Sequence, residues 1–227
     1  GQNTWDSLST AVVNLGRSAA EAADDAAVRF QAFLESLMPD SEEDNEDVQL
    51  VDDEAVAPPP RPQADYAITA LESRDGLDYL TGGAREMVYY DQTSERWAEV
   101  SYGTDDLGGY GCGPTAMAMV ISTLTEENID PAQMAEYCVD HGYWAKKHGS
   151  YWSIVPGVAE DFGLTCTGLP PEEADVDTVT RHLVTGNLIV ALMGPGHFTN
   201  GGHFIILRGV TQDGSILVAD PASQERS

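Results

Sequence analysis

Residues 39–64 constrain this chain most, because they cannot build a core. From Pro39 to Glu54 stand nine acids and no base: Asp40, Glu42, Glu43, Asp44, Glu46, Asp47, Asp52, Asp53 and Glu54. Ala-Pro-Pro-Pro-Arg-Pro follows at residues 57–62. Like charges repel and consecutive prolines hold an extended helix, so both halves favour solvated, extended chain. The Asp-x-Asp-x-Asp-Gly spacing of a calcium loop is absent from the segment. It reads as a linker, and it divides the chain into residues 1–38, 39–64 and 65–227.

The acids extend beyond the linker. The chain has 38 Asp and Glu against 11 Lys and Arg, a formal charge of −27, and its only lysines are Lys146 and Lys147. Phosphate backbones are bound through Lys and Arg surfaces, so a nucleic-acid partner is excluded, and an anionic membrane surface is disfavoured for the same reason. Hydrophobic residues make up 42% of the chain, enough for a core outside the linker. No apolar run reaches the roughly 18 residues that a membrane-spanning helix needs.

Ahead of the linker, Trp5, Leu8, Val12, Leu15, Ala19, Ala22 and Ala26 recur at spacings of three and four, and Phe30, Phe33 and Leu37 continue the stripe. This periodicity predicts one amphipathic helix over residues 4–37, begun by Thr4 and stopped by Pro39. A single apolar stripe needs a surface to cover it. Packing on the main domain, covering of the active cleft as a pro-segment, and self-association are the three candidates.

Residues 65–227 carry mixed patterning. Residues 87–90 predict a short strand, and 113–124 (GPTAMAMVISTL) a strongly apolar helix. Further helices are expected at 131–141, with Pro131 at its first position, at 151–162, closed by Gly163, and at 176–184. Residues 188–193, 204–210 and 216–219 read as strands. Helices first and strands last predict an α+β domain with segregated layers.

The cysteines are Cys112, Cys138 and Cys166, and no two are spaced as CxxC, which argues against a structural zinc site. Cys138 and Cys166 read as small buried hydrophobes. Cys112 differs, because residues 108–114 (GGYGCGP) run straight into the apolar helix. A cysteine there faces the positive end of the helix dipole and unpaired N–H groups, which favour the nucleophilic thiolate. Gly111 and Gly113 would let a substrate backbone approach closely.

A thiolate nucleophile needs a base, and His203 opens an apolar strand behind Gly201 and Gly202. His197 is the second candidate, whereas His141, His148 and His182 lie in polar surroundings and read as surface residues. Asp220 ends the next strand and could orient the base. A two-residue turn at Asp213-Gly214 would set Asp220 opposite Leu207, four residues and about 13 Å from His203. Bringing the two together then requires a longer turn, a bulge or strong twist. Gln92, just upstream of the Cys helix, could donate its amide to an oxyanion beside the Cys112 N–H.

The order Gln92, Cys112, His203, Asp220, with the strings YYDQTSERW, GCGPTAMAMV, GGHFIILRGV and ADP, resembles the bacteriocin-leader-processing type of papain-like cysteine peptidase, in its stand-alone bacterial branch. The resemblance spans residues 86–222 and excludes the N-terminal helix and linker. It implies Cys112 as nucleophile, His203 as base, Asp220 as orienting carboxylate and Gln92 as oxyanion donor. It further implies a papain-like fold with the Cys helix packed on an antiparallel sheet, a peptide or protein substrate, no metal or organic cofactor, and an exported or surface-attached protein whose targeting segment lies outside this sequence. A peptidoglycan amidase or endopeptidase, a transglutaminase-like acyltransferase and a catalytically idle binding module are the alternatives.

Overall fold

A computed structural model describes the backbone of residues 8–14 and all of residues 70–227. The elements follow the chain as β1 (Leu8–Asn14), β2 (Leu71–Arg74), β3 (Leu77–Leu80), β4 (Met87–Tyr89), β5 (Ser101–Tyr102) and β6 (Asp105–Asp106). Then come α1 (Leu107–Tyr110), α2 (Cys112–Leu124), α3 (Pro131–Asp140), β7 (Trp144–Ala145), β8 (Gly149–Ser150) and α4 (Ile154–Asp161). The chain continues through β9 (Thr165–Leu169), α5 (Val176–Val184), β10 (Leu188–Met193), β11 (His203–Val210) and β12 (Ile216–Ala219).

The main sheet has five antiparallel strands in the order β12-β11-β10-β1-β9. Side chains on a strand alternate between faces, so β10 and β11 serve two cores. Leu188, Val190, Phe204 and Ile206 join the larger cluster with α2 and α4. Ile189, Ala191, Met193, Ile205 and Leu207 pack with Val179 and Leu183 of α5 on the other face. Helix α2 is buried along most of its length, from Gly113 to Ile121. Its apolar circumference matches that position, since α3, α4, β4 and β11 surround it. The observed mix of helices and antiparallel sheet is the α+β class expected from the sequence.

Local chemistry sets the helix starts. In α3, Asp130 accepts from the Gln133 N–H while the Gln133 side chain accepts from the Asp130 N–H, and Pro131 takes the first helical position. In α5, Asp175 caps the Thr178 N–H at 2.7 Å.

The N-terminal reading needs correction where the structure describes it. Residues 8–14 form a strand and not part of an amphipathic helix. They pair with β10 on one side, Leu8 opposite Met193, and with β9 on the other, Asn14 opposite Thr165. The physical reason is competition. Thr10, Val12 and Val13 are β-branched and favour extended chain, and the slot between β9 and β10 supplies backbone partners on both sides. The rest of the expected helix and the 39–64 linker lie outside the described residues.

Candidate active site

The nucleophile candidate stands at the first residue of α2, with Gly111 as the preceding cap. Packing fixes this start. A Cβ on Gly111 would lie 2.5 Å from the Leu107 carbonyl oxygen, and one on Gly113 would lie 2.3 Å from Ser150 Oγ. Both glycines are therefore required by neighbouring protein atoms. Ser150 Oγ in turn shares a 2.7 Å hydrogen bond with the Tyr102 hydroxyl. Cys112 itself is half-buried.

His203 and Asp220 meet. Asp220 Oδ1 lies 2.7 Å from His203 Nε2. The strand register explains how. Ile216 pairs with Val210 and Leu217 with Gly209 across a loop longer than two residues, and a bulge between Leu207 and Gly209 then moves the register, so Ala219 pairs with Ile206. Each irregularity carries Asp220 one residue further toward His203, which halves the four-residue offset expected from a two-residue turn, and the two side chains span the remainder. The Nε2 bond leaves Nδ1 as the ring nitrogen available to the Cys112 thiol, which interacts with the same ring.

Asp220 is fully buried, and every hydrogen-bonding atom it owns is engaged. Its Oδ1 also accepts from the Ala222 N–H at 2.8 Å, and its Oδ2 accepts from Arg226 Nε at 2.7 Å. Its own N–H donates to Ser227 Oγ, and its carbonyl accepts from the Tyr89 hydroxyl at 2.9 Å. Burial pushes the carboxyl up, but the bonds from His203, Ala222 and Arg226 outweigh it and hold it below the ordinary carboxylate value. Burial likewise pulls the His203 imidazolium down, yet the Asp220 bond and the Cys112 thiol dominate and raise it to about 9.

Gln92 is buried between the two halves. Its backbone N–H donates to the Pro221 carbonyl at 2.8 Å. Its side-chain Nε2 donates to the carbonyls of Leu107 and Gly108, at 3.1 and 3.0 Å, and Oε1 is buried without a partner. The reverse amide orientation would press Oε1 against two carbonyl oxygens, so this orientation is the favoured one. Gln92 thus fastens the turn before Cys112 to the turn after Asp220, and both its amide hydrogens are occupied by those carbonyls.

His197 is exposed and sits edge-on to Phe198, with ring centroids 5.0 Å apart. His141 and His148 are exposed and His182 is half-buried. Cys138 is fully buried and its thiol is pushed up to about 12, while Cys166 is half-buried and raised less by the same cause. Among the described residues, no group of three or more His, Cys, Asp or Glu side chains could hold a metal ion, and no helix is long and apolar enough to cross a membrane. Sequence reasoning missed Arg226 and Tyr89. A single Arg six residues after an Asp, or a Tyr in a buried strand, carries no periodic signal.

The structure thus sets a cysteine at the start of a buried helix and a hydrogen-bonded His–Asp pair on an antiparallel sheet. Residues 85–227 match the Peptidase_C39 like family, and the chain belongs to that family. The membership points to a cysteine peptidase and supports a papain-like fold. No curated protein and no solved structure matches the chain.

Proposed function

We propose that this protein hydrolyses peptide bonds in a peptide or protein substrate, leader peptides among the candidates, with Cys112 as nucleophile, His203 as base and Asp220 as the carboxylate that orients it. The observation that carries this reading is the 2.7 Å bond between His203 Nε2 and Asp220 Oδ1, which fixes the ring with its other nitrogen free for the Cys112 thiol.

The Cys112 thiolate attacks the substrate carbonyl carbon. The developing oxyanion is met by the Cys112 backbone N–H, one of the unpaired donors at the start of α2. Gln92 adds a second donor by turning one amide hydrogen from a carbonyl of the 107–108 turn onto the oxyanion. The C–N bond breaks as His203 gives its proton to the leaving amine. His203 then takes a proton from water, whose oxygen attacks the thioester, and the acid product leaves Cys112 as thiolate again. The net charge of −27 favours neutral or basic substrates.

The test is iodoacetamide labelling near pH 6, read by peptide mass spectrometry, alongside peptide hydrolysis. Cys112 is expected to label fast and alone, with Cys138 and Cys166 as internal controls held protonated by burial. The His203→Ala variant is expected to lose the fast labelling, and Cys112→Ala to lower hydrolysis by on the order of 10⁴-fold or more. Equal, slow labelling of all three thiols would refute the reading.

A further inference from the structure

The Asp220 carboxylate has two oxygens, and His203 uses only one of them. The second, Oδ2, accepts from Arg226 Nε at 2.7 Å, and the Asp220 side chain is completely excluded from solvent while the Arg226 side chain is one-third exposed. Arg226 sits on the short turn Gln224–Arg226, which Ser227 anchors back through Asp220 N–H to Ser227 Oγ at 2.8 Å. Its guanidinium carbon also lies 5.9 Å from the centre of the Phe198 ring. Phe198 belongs to the loop that leads into β11 and His203. One side chain therefore touches both the carboxylate and the approach to the imidazole.

We propose that Arg226 is a positioning residue that acts through Asp220: it locks the carboxylate plane toward His203 and takes up part of the carboxylate charge, so that His203 is held in place without being fixed permanently as imidazolium. The inference rests on the reading of His203 as the base.

The physics follows from sharing. A guanidinium stays protonated throughout the working range, so it is a constant partner, whereas an imidazole is a partner only in its charged form for the ionic part of the bond. With both present, one buried carboxylate divides its field between them. Without the guanidinium, Oδ2 is left buried and unpaired, the carboxylate is held through Oδ1 alone by His203 and Ala222, and its field falls on His203 undivided. The ionisable groups facing this pair come from several segments: Cys112 at the start of α2, Tyr89 on β4, and Arg226. Of these, Arg226 is the cation.

The experiment follows the His203 ring by NMR through a pH titration, in the full chain, for wild type, Arg226→Gln and Arg226→Lys, with iodoacetamide labelling of Cys112 on the same samples. Arg226→Gln is expected to move the His203 midpoint upward by about half a unit or more. Arg226→Lys, which restores a cation within reach, is expected to return the midpoint toward wild type. If the glutamine variant does not fold, Arg226→Met keeps the stem near Phe198 without the charge and replaces it. A purely structural arginine would lower the melting temperature and leave the midpoint where it was, and that result overturns the proposal. So does a lysine variant whose midpoint is displaced as far as that of the glutamine variant. Slow labelling of wild-type Cys112 with a displaced midpoint would instead refute the peptidase reading and leave the Arg226–Asp220–His203 linkage standing.

Discussion

Cys112 is held by shape, whereas Asp220 is held by hydrogen bonds. On the Cys side, Gly111 and Gly113 press against Leu107 and Ser150, and the helix behind them is buried from Gly113 to Ile121. On the Asp side, one carboxylate is gripped by His203, Ala222 and Arg226, and its backbone by Tyr89 and Ser227. Packing is indifferent to protons, but a network of this kind is not. The two halves of the site therefore answer to different perturbations, and Gln92 is the residue that joins them.

The largest effect should come from hollowing the packed half. Met117 is fully buried in α2, and Met117→Ala is expected to cost about 2–5 kcal/mol of stability by chemical denaturation. The loss should be the same at pH 6 and pH 9, since no proton is involved. A loss that changes with pH would break the contrast between the halves.

A smaller effect should come from crowding the same half. Gly113→Ala places a methyl group within 2.3 Å of Ser150 Oγ and 2.7 Å of its Cβ. It should cost about 1–3 kcal/mol. Ser150→Gly in the same molecule should recover much of that loss, so a double-mutant cycle that comes out additive would show that the contact does not set the position of Cys112.

The bonded half should respond to pH. Folding raises His203 from its ordinary value to about 9, against the pull of burial, through Asp220 and Cys112. A raised imidazolium contributes its stabilisation fully below about pH 6.5 and loses it as pH climbs through the folded value. Compared with His203→Gln, the wild-type advantage should thus decline between about pH 6.5 and 9. One proton at most is exchanged, so the slope should not exceed about 1.4 kcal/mol per pH unit. A flat difference would mean that the network does not couple to protonation.

The parts of the fold that the sequence foretold are those written in local pattern. Helices α2, α3 and α5 fall within a residue or two of the expected 113–124, 131–141 and 176–184, because apolar spacing and caps lie within each segment. Strands β10, β11 and β12 emerge for the same reason. Helix α4 begins at Ile154, three residues later than expected, because Trp152 and Ser153 form the turn before it. Strand β9 is the largely exposed run TCTGL, interrupted by Gly168, and shows no apolar alternation, while the short pairs β5–β6 and β7–β8 have too few residues to show a period. Strand β1 was hidden by a stronger helical spacing, and its partners stand far along the chain. In the site, residue types and their order pointed to Cys112, His203, Asp220 and Gln92. The distance from His203 to Asp220 did not follow, because a bulge leaves no mark in a run such as Leu207-Arg208-Gly209. Nor did the partners of the Gln92 amide, which depend on where the 107–108 carbonyls come to rest.

The interior place of β1 sets an order on the life of the chain. Its nearest partner, Thr165 opposite Asn14, lies 165 − 14 = 151 positions downstream, and its farthest, Met193 opposite Leu8, lies 193 − 8 = 185. Of the five strands of this sheet β1 is made first, and it can be seated only after β9 and β10 have been made. Until then its ladder positions stay open, and newly made β9 and β10 each offer a bare edge to any other extended chain. Closing so long a loop costs little more than closing one half as long, so the delay is one of timing rather than of final stability. The sheet is completed from within by the earliest-made of its own strands.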